Sequence, residues 1–461
     1  MFKAFKVPSG SGSWATLANE VNGHLQRLFA ESGWTLSQCA RAVNLIGAEN
    51  GTPLRYSASA VHHWLGGTTP RVQVRRFVVE AFSRRLGRPV THAEAGFRML
   101  PDQLPPQPDT VEGLVDLGRD DMDPSRRSVL GAGLFSVALT IPGWPDVVSR
   151  AEAVQTGRTA RIGMSDVDMV VAMTERVSDL DDEFGGRYAR PMAAAFLVNT
   201  VAPALGANGS DAVSNAMRSA ASDLCYLTGY MAVDEGFHGL AQGYYLKALE
   251  LAGAANDHLT YCTTLRGMSV QAVDLGHGRT AMHLADSAAA ASPAAGPRMR
   301  AFLAGQQAHA AAQTGDRTNA LRYIREAEAA MDRAESRGKA FGSYDPASLH
   351  YHVSQVRYEL GDVTGAVEEM QRSDRSRHSV YRRSRVHRRG LLAERQLQIG
   401  HLEAACQTWN LALDDYPLVQ SGRADDRMAR MIGLLRPHIK NAPARELLER
   451  ARAVVPAGLH A

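Results

Sequence analysis

The densest group of charged side chains in this chain is a run of arginines in its last quarter. Between Arg372 and Arg389 there are eight arginines and one acidic residue, Asp374. Guanidinium groups bind phosphate and carboxylate oxygens through paired hydrogen bonds. The segment therefore suggests three partners: an effector with phosphates, a peptide carboxylate or a nucleic-acid backbone. The alternative is a solvated helix face whose arginines form salt bridges with neighbours such as Glu368 and Glu369.

Tyrosines form a second group of residues that could contact a ligand. Five of them lie between residues 226 and 261, and most are expected to pack in a core. A tyrosine combines an apolar ring with a polar tip, so some of the five could instead line a peptide site. Together with the basic segment, this group supplies the candidate effector-binding or partner-binding residues, which are Tyr226, Tyr230, Arg382, Arg385 and Arg389.

Two further groups could suggest a metal or an acid–base site. Asp181, Asp182 and Glu183 are consecutive, and successive side chains on a helix diverge, so we expect helix capping or pairing with Arg187 and Arg190. Two pairs of histidines are also badly spaced for binding one metal ion from a helix. They are the adjacent residues at 62 and 63 and the i, i+2 residues at 350 and 352. No nucleotide-binding, nucleophile-elbow or zinc-helix motif is present. We therefore expect no cofactor, no metal and no enzymatic activity.

The elements that must position these residues are indicated by a repeat. Five alanines recur at intervals of 40, 39, 46 and 39 residues, and a small residue precedes each by 12 positions. Small residues in this register allow the two helices of a hairpin to approach closely, and repetition means stacked hairpins. The pattern resembles the tetratricopeptide repeat, with closing prolines at Pro293 and Pro417. The five alanines are Ala241, Ala281, Ala320, Ala366 and Ala405.

Length and composition agree with a helical protein of more than one domain. The chain has 461 residues, is rich in alanine and leucine, and has 7% aromatic residues. The predicted fold class is all-α, a small helix-turn-helix bundle followed by a tetratricopeptide-like α-solenoid. We expect a helix-turn-helix DNA-binding domain over 14–100, a proline-rich linker and transitional helix over 101–164, a repeat array over 165–422 and capping helices over 423–461.

Residues 32–67 resemble the helix-turn-helix of the lambda-repressor-like family. Thr35, Cys39, Ala40 and Val43 match its first helix, and Val61, Trp64 and Gly67 match the second, which would enter the major groove. Residues 1–102 carry a net charge of +6, in keeping with a polyanion partner. The resemblance implies that double-stranded DNA is contacted by base-facing and phosphate-facing side chains, which are Arg55, Ser57, Ser59, Ala60, His62, His63, Arg71 and Arg75. The loop from Asn44 to Tyr56 is longer than the usual turn.

The whole layout resembles actinomycete regulators of the Nsd type, negative regulators of differentiation and antibiotic production. The resemblance implies a cytoplasmic repressor of development or secondary metabolism whose array senses a peptide, a small molecule or a partner protein. A homodimer is expected because helix-turn-helix proteins generally read paired half-sites. The resembling stretches are Ser32–Val43, Ser57–Pro70, Phe82–Phe97, Ser125–Leu139, Leu180–Met192 and Gly390–Cys406.

A membrane is not expected among the partners. The apolar run that follows Arg126-Arg127 is about 13 residues long and too short to span a bilayer, which needs about 20, so a helix packed on the array is the preferred interpretation. The four cysteines are widely spaced and suit a reduced compartment. The alternative function is a tetratricopeptide protein-interaction scaffold without sequence-specific DNA binding. A steep salt dependence of DNA retention would separate the two.

Overall fold

A computed structural model describes residues 22–49, 53–86, 90, 94–97, 109–122, 161–291, 294–334, 344–377 and 379–459. Within these ranges the only β-pairing is an isolated bridge between Arg161 and Asn208, so the predicted all-α class is confirmed. Contacts divide the chain into two compact units. The first comprises Met1–Ala48 and Pro53–Pro101, and the second comprises Glu49–Thr52 and Asp102–Ala461.

The described residues of the first unit form α1 (Gly23–Ser32), α2 (Leu36–Glu49), α3 (Ala58–Leu65) and α4 (Val72–Leu86). Thr35 begins α2 as predicted. Its hydroxyl accepts from the Gln38 N–H at 3.3 Å, and Gln38 Oε1 accepts from the Thr35 N–H at 2.8 Å, a reciprocal cap. Helix α2 continues to Glu49, so the connection to α3 is shorter than the predicted loop. The apolar pattern extends through Ile46, which is buried, and this keeps the chain helical.

The second unit begins with α5 (Thr110–Asp121), α6 (Met164–Phe184) and α7 (Gly186–Phe196), which continues through a π-turn into α8 (Ala202–Leu205). Twelve further helices follow as six pairs. They are α9 (Asp211–Asp234), α10 (His238–Ala255), α11 (His258–Asp274), α12 (Gly278–Ala291), α13 (Pro297–Gln313), α14 (Arg317–Met331), α15 (Pro346–Glu359), α16 (Val363–Ser376), α17 (Arg382–Gln398), α18 (Leu402–Asp415), α19 (Gly422–Leu435) and α20 (Ala442–Val454).

The repeated alanines lie where the two helices of a pair cross. Each is the fourth residue of the second helix in the pairs from α9–α10 to α17–α18, and each is fully buried. The small residue 12 positions earlier lies opposite on the first helix. Where it is serine, its hydroxyl donates to the carbonyl of the repeated alanine, from Ser269 to Ala281 at 2.8 Å and from Ser354 to Ala366 at 2.5 Å. The predicted close approach of the paired helices is confirmed at these positions.

A repeated glycine forms the turn inside each of these five pairs. It lies five residues before the repeated alanine and has a φ between 78° and 86°, a left-handed conformation that glycine adopts without steric cost. The sequence therefore contains a second periodic signal, with the same period as the alanines. The five residues are Gly236, Gly276, Gly315, Gly361 and Gly400.

Helices that precede the six pairs contact helices near the end of the series. Helix α6 packs against α17, and the α6–α7 corner bonds to the segment before α19. The Gln420 N–H donates to the Phe184 carbonyl at 2.6 Å, and the Arg187 N–H donates to the Gln420 carbonyl at 3.1 Å. Arg187 also pairs with Glu235 at 2.8 Å and with Asp425 at 2.9 Å. The stretch predicted to cap an open end therefore contacts the α6–α7 corner through Asp425. We call the contacts of α6 and the α6–α7 corner with α17, Gln420 and Asp425 the closure.

The segment between the predicted domains is described only in part. Helix α5 packs on α10, where Gly243 faces the Leu117 side chain, and the Tyr244 hydroxyl donates to Asp121 at 3.0 Å. The resembling stretch Ser125–Leu139 and the apolar run within it, which was predicted to pack on the array, lie outside the described residues. None of the described helices is both long and apolar enough to cross a membrane.

Candidate functional site

Helix α3 presents a polar face that its apolar residues fix in place. Val61 and Trp64 are buried in the core of the first unit, at 1% and 5% exposure. The start of the helix is held by Asn44 of α2, whose amide donates to the Tyr56 carbonyl and whose oxygen accepts from the Tyr56 N–H, both at 2.8 Å. The Tyr56 ring lies edge-on to Trp64 with centroids 4.9 Å apart. These contacts orient the opposite side of α3 toward solvent.

Most of the residues suggested for DNA contact are on that side. Three side chains of α3, those of Ser59, His62 and His63, are exposed, as is Ser57 immediately before the helix. Arg55 and Arg71, on either side of the helix, are exposed as well. Two suggested residues differ from the expectation. Ala60 is half-buried against the core, and Arg75 is half-buried because its Nε donates to the Pro70 carbonyl at 3.0 Å.

The second unit contains a cavity of about 170 Å³ whose lining is both polar and apolar. Most of its lining residues lie on the first helices of successive pairs. Six lining residues lie 15 or 11 positions before a repeated alanine, one turn apart on the same helix face, so a signal for them existed in the sequence. At 15 positions they are Tyr226, Arg266 and Tyr351, and at 11 positions they are Tyr230, Val270 and His309.

An acidic cluster and one arginine form the closure side of this cavity. The Arg383 guanidinium lies 3.0 Å from Asp181, 3.4 Å from Asp182 and 3.6 Å from Asp234. Asp181 and Asp234 are almost fully buried. Burial raises the pKa of Asp181, Arg383 opposes this, and the negative charge of Asp234 adds to the rise. The cluster therefore joins α6 and α9 to α17 through one buried cation.

The partners expected for the acidic run from 181 to 183 were wrong. Asp181 and Asp182 bond Arg383, and Glu183 bonds Arg382 at 2.9 Å. Arg187 instead pairs with Glu235 and Asp425, and Arg190 pairs with Asp121. The physical reason is the contact between α6 and α17. It places arginines about 200 positions away in the chain closer to these carboxylates than the arginines that follow them in sequence.

The basic segment divides between ion pairs and the cavity. Of the suggested ligand-binding arginines, Arg382 bonds Glu183, Arg385 bonds Asp415 at 3.2 Å, and Arg389 bonds both Asp374 at 2.9 Å and Asp415 at 3.1 Å. Three other arginines of the segment line the cavity, namely Arg377, Arg383 and Arg388. Arg372 fits the alternative interpretation, a solvated helix face with salt bridges, because it is exposed and bonds Glu369 at 2.8 Å.

Aromatic and imidazole groups complete the cavity wall. The suggested residues Tyr226 and Tyr230 both line it, with ring centroids 6.4 Å apart. On α15, His352 is held by the Tyr344 hydroxyl at 2.8 Å, so this histidine belongs to a defined contact. A Cβ at Gly305 of α13 would collide with both groups, and glycine is therefore needed there.

The cavity histidines are expected to make stability fall in acid. Burial, together with the charges of Arg395 and Arg266, lowers the pKa of His309 to about 4. The unfolded chain takes up this proton near pH 6.5 and the folded chain only near pH 4, so stabilisation is lost as the pH falls between these values. We expect His309→Gln to reduce the acid-induced loss of unfolding free energy by on the order of 3 kcal/mol. Urea denaturation between these two pH values measures this loss.

The matched control is His258→Gln, which removes an exposed imidazole from α11. It should leave the acid dependence of the unfolding free energy as in the unmodified chain. A His309→Gln protein that loses stability in acid as steeply as the unmodified chain would contradict the assignment.

Comparison with known proteins bears on the first unit alone. Residues 25–98 match the family described as the SP15 N-terminal domain. The matched residues run from α1 to just beyond α4 and include the whole of α3. No curated protein matches the chain.

Proposed function

We propose that this chain is a cytoplasmic DNA-binding transcriptional regulator, a repressor, whose helical array senses an effector or a partner protein. In this proposal α2 and α3 form a helix-turn-helix, and the helix pairs form a tetratricopeptide-like solenoid. The observation that carries it is the orientation of α3. Its apolar residues are buried, while Ser59, His62 and His63 are exposed between two exposed arginines. No catalytic role is proposed, and a homodimer would present two copies of α3.

The exposed side chains suit the two kinds of contact that DNA recognition requires. Serine and histidine can hydrogen-bond base edges in the major groove. Arg55 and Arg71 suit phosphates, which fix the register and make binding dependent on salt. The net charge of +6 on residues 1–102 would draw the duplex to this unit. The likeness to Nsd-type regulators supports a role in development or secondary metabolism.

We expect His62→Ala to weaken binding to a selected DNA site by about 1–3 kcal/mol and to relax base preference, with the salt dependence unchanged. Arg71→Gln should weaken binding to all sequences and reduce the salt slope by about one. The site would be obtained by selecting bound fragments from random duplexes. Affinities would then be measured by fluorescence anisotropy over a series of salt concentrations.

Arg84→Gln is the charge-matched control, because Arg84 already bonds Glu80 at 2.8 Å on α4. It removes one positive charge from the same unit and should change the salt slope less than Arg71→Gln. If the unmodified chain is not retained on DNA at either low or moderate salt, the protein-interaction scaffold becomes the better proposal. Equal base preference in the unmodified and His62→Ala proteins would reject α3 as the recognition helix.

A further inference from the structure

Five arginines line the cavity of the second unit, and they differ in how their charge is balanced. Arg377 bonds Asp345 at 3.2 Å, Arg383 bonds the acidic cluster and Arg423 bonds Asp274. Among the residues that the structure describes, no carboxylate lies within ion-pair distance of the other two, Arg388 and Arg266. The cavity therefore holds two cations whose partners are uncharged.

Arg388 is the more deeply placed of the two, with 8% of its surface exposed. Its guanidinium donates to the Ser373 hydroxyl at 2.9 Å and to the Ala347 carbonyl at 3.2 Å, and it lies 4.7 Å from the Tyr351 ring centre. Burial, with a smaller contribution from the charge of Arg377, lowers the pKa of Arg388 to about 10. The group is still protonated at neutral pH. A buried charge without a counter-ion is costly, so an anion in the cavity would stabilise it.

Arg266 reaches the same cavity from α11. Its guanidinium lies 4.0 Å above the Phe302 ring, and its terminal nitrogen is 3.5 Å from His352 Nε2. Its Nε is buried and has no hydrogen-bond partner among the described residues. Burial and the charge of Arg266 both keep the pKa of His352 well below its usual range, so this imidazole adds a neutral polar group. Arg266 thus has an unused donor beside an aromatic wall.

We propose that the cavity binds a small oxyanion, the phosphate or carboxylate group of a small organic molecule, through Arg388 and Arg266. A volume of about 170 Å³ has room for several waters or a compact metabolite. The aromatic wall of Tyr226, Tyr351 and Phe302 suits the organic part of such a molecule. The acidic cluster does not satisfy these two arginines, because Arg383 lies among its carboxylates.

The inference deepens the proposed sensor role and rests on it for its biological meaning. Arg266 is on α11 and Arg388 is on α17, the helix that α6 contacts at the closure. An anion bound by both arginines would connect α11 to α17. Binding energy could then favour the closed array over an opened one, which is how a ligand shifts a conformational equilibrium.

The test uses the full-length protein without DNA, so a failure here is separate from a failure of DNA binding. Inorganic phosphate and succinate are titrated by calorimetry against a chloride reference of equal ionic strength. We expect one site per chain for at least one of the two anions, and the anion that binds identifies the head group. Arg388→Gln and Arg266→Gln should each weaken that binding about tenfold, because each removes a charge-assisted hydrogen bond.

Arg372→Gln is the matched control, since Arg372 is exposed and bonds Glu369 outside the cavity. It should bind the anion as the unmodified chain does. If Arg388→Gln fails to fold, Arg266→Gln decides the matter, because Arg266 makes no hydrogen bond to the backbone of the described residues. Binding of neither anion, or equal weakening in all three variants, would overturn the proposal and indicate a water-filled cavity.

Discussion

Replacing Arg383 with methionine is expected to lower the free energy of unfolding by about 3–5 kcal/mol at neutral pH. The change leaves Asp181 and Asp234 buried without their cation, since their side chains are only 3% and 2% exposed. The carboxylates could then avoid the cost only by binding protons. The loss should therefore be smallest in acid and should grow as the pH rises. Urea denaturation over a pH series measures both effects.

The neighbouring residue provides the matched control. Arg382 also bonds an acidic residue of α6, Glu183, but the two side chains are 32% and 42% exposed. Exposed ion pairs contribute about 0–1 kcal/mol, so Arg382→Met should have a small effect. Adding Asp181→Asn to Arg383→Met should recover part of the loss by removing a buried charge. Similar losses from the two arginine variants would show that the cluster is not a buried ion-pair network.

The second large effect is expected at the corner between α6 and α7. Gly185 has φ 95° and ψ 164°, a region that only glycine readily adopts. A Cβ there would also collide with the carbonyl oxygen of Gln420. Gln420 donates its N–H to the Phe184 carbonyl and accepts from the Arg187 N–H. We expect Gly185→Ala to lower the free energy of unfolding by about 3 kcal/mol or more. Hydrogen exchange of the Arg187 and Gln420 amides should also accelerate, because the closure opens.

Gly236→Ala separates backbone strain from the collision. Gly236 has φ 78°, and a Cβ at this position would meet no atom within 4 Å, so its replacement adds strain alone, worth about 1 kcal/mol. It should leave exchange at Arg187 and Gln420 unchanged. If Gly185→Ala costs no more than Gly236→Ala, the closure does not contribute to stability as the contacts indicate.

Much of the local structure could be predicted from the chain. The period of the small residues predicted the helix pairs, and Thr35, Val61 and Trp64 marked the ends and the buried side of helices in the first unit. Such features depend on contacts within a turn or within one hairpin, where side-chain spacing and helix geometry are sufficient. The six cavity-lining residues that lie 15 or 11 positions before a repeated alanine follow the same logic, although only Tyr226 and Tyr230 among them were predicted to contact a ligand.

The sequence by itself thus indicated most of the helices and the small residues at which paired helices cross. The tertiary structure decided that the first and last pairs meet, that Arg383 bonds Asp181 across 202 positions, and that Arg388 faces a cavity while Arg385 bonds Asp415. The physical reason is that these contacts join helices far apart in the chain, and whether those helices meet depends on how all the intervening pairs stack. No single helix pair contains that information.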